Sequence, residues 1–372
     1  MSNHYKFECS SCETEYSPSP SLIECEICDS PLNIKYLPTH YSGADNTSLE
    51  IPLPLNSQSE LFSLGEGNTP TVNLTNTSAL LDVNLLAKNE SQNPTGSFKD
   101  RGTSILISCL LKFGIKEIVE DSSGNAGSSI SAYSAAAGIK AHIFAPETAP
   151  PPKISQIKVY GATHHSTPGS RDKVTESARK YAVKHNLIYA SHNLSPYFIE
   201  GTKSFGYELL SDTSHTFPTD IVIPVGNGSL YIGVYKAMTE LISYKLITQL
   251  PRMHFIQAES VKPIASAVYN QKWNNKMVLQ TKAGGIAVGS PPRLNQVINI
   301  MKVSGGECDT VHEEEITNWQ LELARTEGIY CEPTSAAAFA GTSKMIKSGK
   351  IRKGSTVLVP ITGSGLKDTS PV

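Results

Sequence analysis

The stretch Asn93-Pro94-Thr95-Gly96-Ser97-Phe98-Lys99-Asp100-Arg101-Gly102 reads as a lysine carried on a turn that opens a helix. Proline biases the residue before it away from helix, and Gly96 relaxes the turn. Ser97 stands where an N-cap belongs, ahead of a helix through Ile105, Leu106, Leu110 and Leu111. This predicts Lys99 in the first helical turn. The partial positive charge of a helix N-terminus disfavours a second positive charge there and favours the neutral, nucleophilic amine, which condenses with aldehydes. A lone lysine at a helix start is ordinarily a solvated cation, so the weight of this reading rests on the rest of the chain.

Outward from that stretch, short apolar runs alternate with segments of helical length. Val83 to Ala87, Glu117 to Val119, Ala141 to Phe144, Asp220 to Val225, His254 to Gln257 and Thr356 to Pro360 read as buried strands. The alternation predicts an α/β architecture of mainly parallel sheets with right-handed crossovers, in which ligands gather at the C-terminal ends of strands. Three strand ends carry distinctive loops. After Val119 comes Ser122-Ser123-Gly124-Asn125-Ala126, a small polar turn opening a helix, whose amides and hydroxyls can cradle a carboxylate while Asn125 offers an amide to a ring oxygen. After Val225 comes Gly226-Asn227-Gly228-Ser229-Leu230, where glycines let the backbone wrap a phosphate. No lysine follows in the Walker position and Tyr231 stands where a dinucleotide fingerprint needs glycine, so the phosphate belongs to something smaller. After Pro360 comes Thr362-Gly363-Ser364-Gly365, which brings a hydroxyl to a strand end. A hydroxyl can meet a heteroaromatic nitrogen without imposing a full charge on it, tolerating a neutral ring.

Length and composition set the frame. At 372 residues the chain accommodates two lobes with substantial cores and a small appendage. With 39% hydrophobic and 18% charged residues it is an ordinary globular composition. A net charge of -2 leaves no broad basic field, so no nucleic-acid partner is expected. No apolar run is long enough to cross a bilayer, and the polar N-terminus lacks a secretory core, so no membrane partner and a cytoplasmic location are expected. Of seven cysteines, Cys9, Cys12, Cys25 and Cys28 form two Cys-x-x-Cys knuckles. Two such pairs close a tetrahedral zinc shell with no open position, the pattern of a structural site; reduced unmetallated thiols or a redox pair are the alternatives. Residues 1–37 thus read as a zinc-ribbon-like segment and 38–60, rich in Pro, Ser, Asn and Thr, as a connector.

Lysine turn, asparagine-bearing serine loop, glycine loop and terminal hydroxyl together match the contacts that pyridoxal 5'-phosphate needs. Asn93 to Gly102 resembles the threonine synthase motif almost letter for letter, and the chain is similar to the fold type II (tryptophan synthase β-like) pyridoxal-phosphate enzymes. The resemblance spans about 61 to 368. It takes in Leu64-Gly65-Glu66-Gly67-Asn68-Thr69-Pro70, Glu200-Gly201-Thr202-Lys203-Ser204, Glu332-Pro333-Thr334-Ser335-Ala336 and Thr362 to Asp368. An N-terminal cysteine ribbon is also seen in many threonine synthase-like chains.

The resemblance implies that Lys99 carries the cofactor as a Schiff base and then acts as a base, with Phe98 beside the ring and Asn125 on the phenolic oxygen. Gly226, Asn227, Gly228, Ser229 and Leu230 would hold the phosphate, and Thr362 the pyridine nitrogen. Substrate contacts are expected from Ser122, Ser123, Gly124, Ala126 and Asn227, with Arg171 and Arg293 further candidates for the substrate phosphate. It implies a catalytic body over 61–372, with a smaller lobe about 103–205 closing over a larger one (61–102 with 206–372), and a homodimer. The expected reaction is that of threonine synthase: O-phospho-L-homoserine and water to threonine and phosphate by γ-elimination and β-addition. Alternatives are Ser/Thr dehydration, β-replacement on O-phosphoserine as in cysteate synthase, or a non-catalytic paralogue. The family usually carries Ser-Thr-Gly-Asn-Thr where this chain has Ser122 to Ala126, a glycine where it has Ser229, and an Ile-rich glycine turn that Ala283 to Arg293 matches loosely.

Overall fold

Apolar runs alternating with helical stretches fold into an α/β architecture in the computed structural model, which describes residues 4–37, 51–149, 151–169, 171–212, 214–274 and 280–372. The chain divides into two compact units, Met1–Glu66 with Lys99–Ser204, and Gly67–Phe98 with Phe205–Val372. It opens with β1 (Tyr5–Cys9), β2 (Glu15–Tyr16) and β3 (Leu32–Tyr36) of the first unit. It then supplies β4 (Thr71–Asn73), α1 (Thr75–Leu81) and β5 (Asn84–Asn89) to the second. Returning to the first unit, it runs through α2 (Lys99–Lys112), β6 (Glu117–Glu120), α3 (Asn125–Ala136), β7 (Lys140–Pro146) and α4 (Pro151–Val159). That unit is completed by β8 (Thr163–Thr167), α5 (Arg171–His185), β9 (Ile188–Tyr189) and α6 (Pro196–Thr202). The second unit resumes at Phe205 within α7 (Ser204–Ser211) and continues with β10 (Asp220–Pro224), α8 (Ser229–Ser243), β11 (Arg252–Ala258), α9 (Pro263–Val268) and α10 (Leu294–Val303). It ends with β12 (Cys308–Val311), α11 (Glu313–Thr326), α12 (Pro333–Lys347) and β13 (Thr356–Ile361).

Every run expected to be a strand is one. The second unit's sheet has the order β12-β11-β10-β13-β5-β4, parallel except for β4, which runs antiparallel to β5 at the edge. Its central strands Asp220–Pro224 and Thr356–Ile361 are buried along their whole length, as strands covered on both faces must be. The first unit's sheet, β8-β7-β6-β9, is entirely parallel. Both orders reverse direction once. From β6 the chain builds outward through β7 and β8 and then returns to place β9 on the other flank. From β10 it builds through β11 and β12 and then returns with β13. Such reversals open crevices at strand C-termini, between β6 and β9 in one unit and between β10 and β13 in the other.

The cysteine-bearing ribbon, a β2-β1-β3 antiparallel sheet, shares its core with the first unit. Tyr5, Phe7, Leu32 and Ile34 are buried in one cluster with Ile105, Leu106, Ile118 and Ile143. Phe7 meets Tyr197 of α6 edge-on at 5.3 Å between ring centroids. Tyr36 donates to Glu200 Oε2 at 2.7 Å, and Lys203 Nζ lies 2.8 Å from the same oxygen with its charge over the Tyr36 ring. The ribbon is therefore packed through aromatic contacts onto α6. Of the connector expected over 38–60, residues 38–50 lie outside the described residues. Within 51–60, Leu55 is buried in the same core.

Candidate active site

Lys99 is the first residue of α2, as the turn chemistry predicts, and is half-buried. The cap reading is corrected: Ser97 Oγ is buried with no hydrogen-bond partner among the described residues, and Ser97 forms an isolated bridge with Gly363. The pairing explains why. Phe98 N donates to Thr362 O at 3.0 Å and Ser364 N to Gly96 O at 3.1 Å, so the backbone around Ser97 is tied to the residues that follow β13, and the helix opens at Lys99, two residues further on. Gly96 takes φ +82°, and Lys367 Nζ holds Thr95 O at 2.7 Å. Asn93 accepts from Gly67 N at 2.9 Å and donates to Glu90 Oε2 at 2.9 Å. The two quoted motifs thus hold one another in the second unit up to the residue before the lysine.

In the first unit, α6 packs on α2 through two glycines. A Cβ on Gly201 would lie 2.0 Å from Arg101 O, and one on Gly102 would lie 2.5 Å from Phe198 Cε1. Arg101 Nη1 donates to Ser204 Oγ at 2.9 Å. The Glu200 to Ser204 motif is therefore the support on which the lysine helix rests. Lys99 Nζ lies 5.8 Å from the centroid of Phe198, whose ring meets His192 edge-on. His192 Nδ1 is 2.6 Å from Glu120 Oε1, and His192 N donates to Glu120 Oε2 at 3.1 Å. Burial, followed by the charge of Lys99, lowers His192 well below the usual histidine range, and burial, followed by Asp121, raises Glu120 well above the carboxylate range.

Asn125 is the first residue of α3, after a loop that starts at the C-terminal end of β6, and Ser122, Asn125 and Ala126 are buried. The loop is pressed onto α3: a Cβ on Gly127 would lie 1.9 Å from Ser122 O. Ser129 Oγ donates to Thr103 Oγ1 at 2.7 Å, fastening α3 to α2. Asp121 anchors the loop from the other side, bonded by Thr175 and by Arg171, whose Nη2 is 3.3 Å from Asp121 Oδ2 and whose Nη1 donates to Asp121 O. Arg171, singled out from sequence as a phosphate contact, is thus engaged by the loop itself. Glu120 and His192 received no role from sequence because they lie 72 residues apart, and Phe198 lies 99 residues from Lys99; the partner of Gly127, Ser122, is local, but glycine alone does not announce a close approach.

In the second unit, Gly226 to Gly228 lead from β10 into α8, whose first residues are Ser229 and Leu230, with Gly228 at φ +86° as the N-cap. A Cβ on Gly226 would lie 3.0 Å from Gly285 O, Ile286 Cα and Val288 Cγ2, and one on Gly228 would lie 2.7 Å from Val297 Cγ2. Both positions need glycine, and the result is a turn of backbone amides opening a helix, the arrangement that holds a phosphate. Arg293 caps α10 while buried, donating to Gln296 Oε1 at 2.8 Å, and burial lowers it to about 9. Thr362 follows β13 and is 1% exposed. Its hydroxyl is 2.6 Å from Glu332 Oε1 and 2.8 Å from Ser335 Oγ.

A parallel α/β fold with a lysine opening one helix, an asparagine opening another and a glycine turn at a strand end describes an enzyme that holds a small phosphorylated aldehyde. The sequence profile described as "Pyridoxal-phosphate dependent enzyme" matches residues 62–363, and the chain belongs to that family. Among curated relatives, threonine synthase of Methanocaldococcus jannaschii is 33% identical over 323 residues, covering 85% of this chain and 79% of that protein. Threonine synthase of Methanosarcina acetivorans is 31% identical, covering 99% and 93%, so the cysteine-bearing segment lies within that match. Among solved structures, a T.th. threonine deaminase superposes with a TM-score of 0.68 at 24% identity (82% and 94% covered), and maize serine racemase with 0.66 at 20% (80% and 88%), which shows the shared fold.

The residues present fit pyridoxal phosphate, because Gly226 and Gly228, packed against Gly285 to Val288 and Val297, let a turn of backbone amides open α8 where a phosphate binds. The four cysteines likewise fit a metal. Their ligand atoms all lie within 4.8 Å of one another, and the Cys9–Cys28 and Cys12–Cys25 sulfurs are 3.5 and 3.6 Å apart. Edges of a tetrahedral zinc–thiolate shell are about 3.8 Å. Ser11 N and Cys12 N point at Cys9 Sγ at 3.4 Å, as knuckle amides do. Among the described residues no helix is long and apolar enough to cross a membrane.

Proposed function

We propose that the chain is a threonine synthase, a lyase of threonine biosynthesis that takes O-phospho-L-homoserine and water to L-threonine and phosphate. The observation that carries the reading is the Asn93 to Gly102 motif at the start of α2, within matches to threonine synthases that cover most of both chains. Pyridoxal phosphate supplies the electron sink that makes the amino-acid Cα proton acidic. Lys99 would hold the cofactor and, once released, move protons at the substrate carbons. Its place at the end of a supported helix leaves the amine on a flexible stem over a rigid base, suited to reaching more than one carbon. Phe98 would pack beside the ring, Asn125 would donate to the phenolic oxygen, Gly226 to Leu230 would bind the phosphate through backbone amides, and Thr362 would meet the ring nitrogen. Ser122 to Ala126, at the N-terminus of α3, would receive the substrate carboxylate, and Asn227 the substrate phosphate. The ribbon cysteines would hold a structural zinc, and a homodimer is the assembly expected of the family.

The test is a substrate panel scored for phosphate, threonine and 2-oxoacid together. Equal phosphate and threonine from O-phosphohomoserine is the expected result. Oxoacid and ammonia from threonine or serine, without phosphate release from O-phosphohomoserine, contradicts it.

A further inference from the structure

We propose that Glu332 is a positioning residue that fixes the hydroxyl of Thr362 as an acceptor and thereby keeps the cofactor's ring nitrogen protonated; this rests on the reading above in which Thr362 faces that nitrogen. Thr362, Ser335 and Glu332 are all buried, at 1%, 0% and 2% exposure. Glu332 precedes α12 and is held in place by its own backbone, whose N–H donates to Gly363 O at 3.0 Å. Its carboxyl group fills the space a Cβ on Gly363 would take, with Cδ, Oε2 and Oε1 at 2.8, 2.9 and 3.0 Å from that position. Gly363 is therefore required beside Thr362 for the carboxylate to reach the hydroxyl.

With Glu332 as the carboxylate, counting protons gives the polarity. A threonine hydroxyl has one proton and two lone pairs, and a carboxylate accepts only. At 2.6 Å from Glu332 Oε1, Thr362 spends its proton on the carboxylate, in the distance range of a charge-assisted O–H···O bond. Ser335 Oγ accepts from Thr362 N at 2.8 Å, which turns its own proton toward Thr362 Oγ1 at 2.8 Å. Thr362 Oγ1 is left with one lone pair and no proton, so it can accept from a third group and cannot donate to one. The only ring nitrogen that satisfies it is one bearing hydrogen. A threonine read alone tolerates a neutral ring, whereas a threonine backed by a buried carboxylate favours the protonated ring and the stronger electron sink that goes with it.

The experiment reconstitutes the full chain with pyridoxal phosphate labelled with ¹⁵N at the ring and records the ring nitrogen chemical shift for wild type, Glu332→Gln and Thr362→Val. The expected result is a protonated-pyridine shift in wild type that moves toward the unprotonated range in Glu332→Gln, where the amide can donate to Thr362 and free its proton for the ring. Turnover should fall about 10- to 100-fold with it, the scale seen when a partner that orients a functional group is removed. An unprotonated ring in wild type overturns the proposal. If Thr362→Val moves the shift and Glu332→Gln does not, the role of Glu332 falls while Thr362 remains the ring partner. If neither variant moves it, Thr362 does not face the nitrogen and both fall. A chain that takes up no cofactor likewise overturns both.

Discussion

Replacing Gly127 by alanine probes how the asparagine loop is held. The added methyl would sit 1.9 Å from Ser122 O, 3.0 Å from Ser122 C and 3.1 Å from Ile157 Cδ1. Relief needs about 1.5 Å of movement against backbone and not a flexible side-chain tip, so overpacking should cost about 1–3 kcal/mol, toward the upper end. Either the Ser122 to Gly124 loop lifts or the first turn of α3 shifts, and Asn125 moves in both cases. A misplacement of about 1 Å at a reacting centre costs on the order of 10²-fold in rate. Gly127→Ala should therefore lose about 10²-fold in kcat/KM for O-phosphohomoserine and shift the visible band of the bound cofactor. Its melting temperature should fall by about 2–10 °C. Gly124→Ala, where a methyl meets nothing within 4 Å, should melt within a degree or two of wild type. Gly127→Ala with wild-type turnover and spectrum would refute the claim that this close approach positions Asn125.

The Asp121–Arg171 pair predicts a pH signature. Burial alone would raise Asp121, but the Arg171 charge, then the Thr175 hydrogen bond, outweigh it and hold the carboxyl below its ordinary range. A depressed carboxyl contributes stability that is present above its unfolded value and is lost as pH falls through the folded value. Arg171→Met should accordingly cost about 1–2 kcal/mol at pH 7 after allowance for the guanidinium's partial exposure, and the difference from wild type should close below pH 4 in urea titrations. A gap that persists unchanged in acid would contradict the assignment. For the ribbon, elemental analysis should find one zinc per chain, and Cys28→Ser should abolish it. Because Tyr5, Phe7 and Ile34 share a core with α2, metal loss should lower the melting temperature of the whole first unit. A metal-free chain that melts like wild type runs against a structural zinc.

Much of this arrangement was legible in the sequence because it is local. Buried strands such as Asp220–Pro224 announce themselves as apolar runs, and the loops that follow them carry turn chemistry readable residue by residue. Strands absent from the sequence reading lack a continuous apolar run: β9 is only Ile188–Tyr189, β8 is Thr-His-His-Ser-Thr, and β1 and β3 alternate apolar with polar residues. The Ser97 reading failed where its backbone is bridged to Gly363, 266 residues away, a partner that no local capping signal reveals. The same distance hid the function of quoted motifs. Glu332 stood in a recognised stretch, yet its bond to Thr362 exists only once α12 and β13 are brought together. Likewise Glu200 to Ser204 enters the sequence reading only as a piece of the resemblance, and the close approach of Gly201 to Arg101 reveals it as the support of the lysine helix.

The most direct test of the account is to reduce the cofactor-loaded protein with borohydride and map the labelled peptide. The account predicts that the pyridoxyl group is retained on Lys99, and that Lys99→Ala retains none and turns over no O-phosphohomoserine. A label on any other lysine, or full turnover by Lys99→Ala, would contradict it.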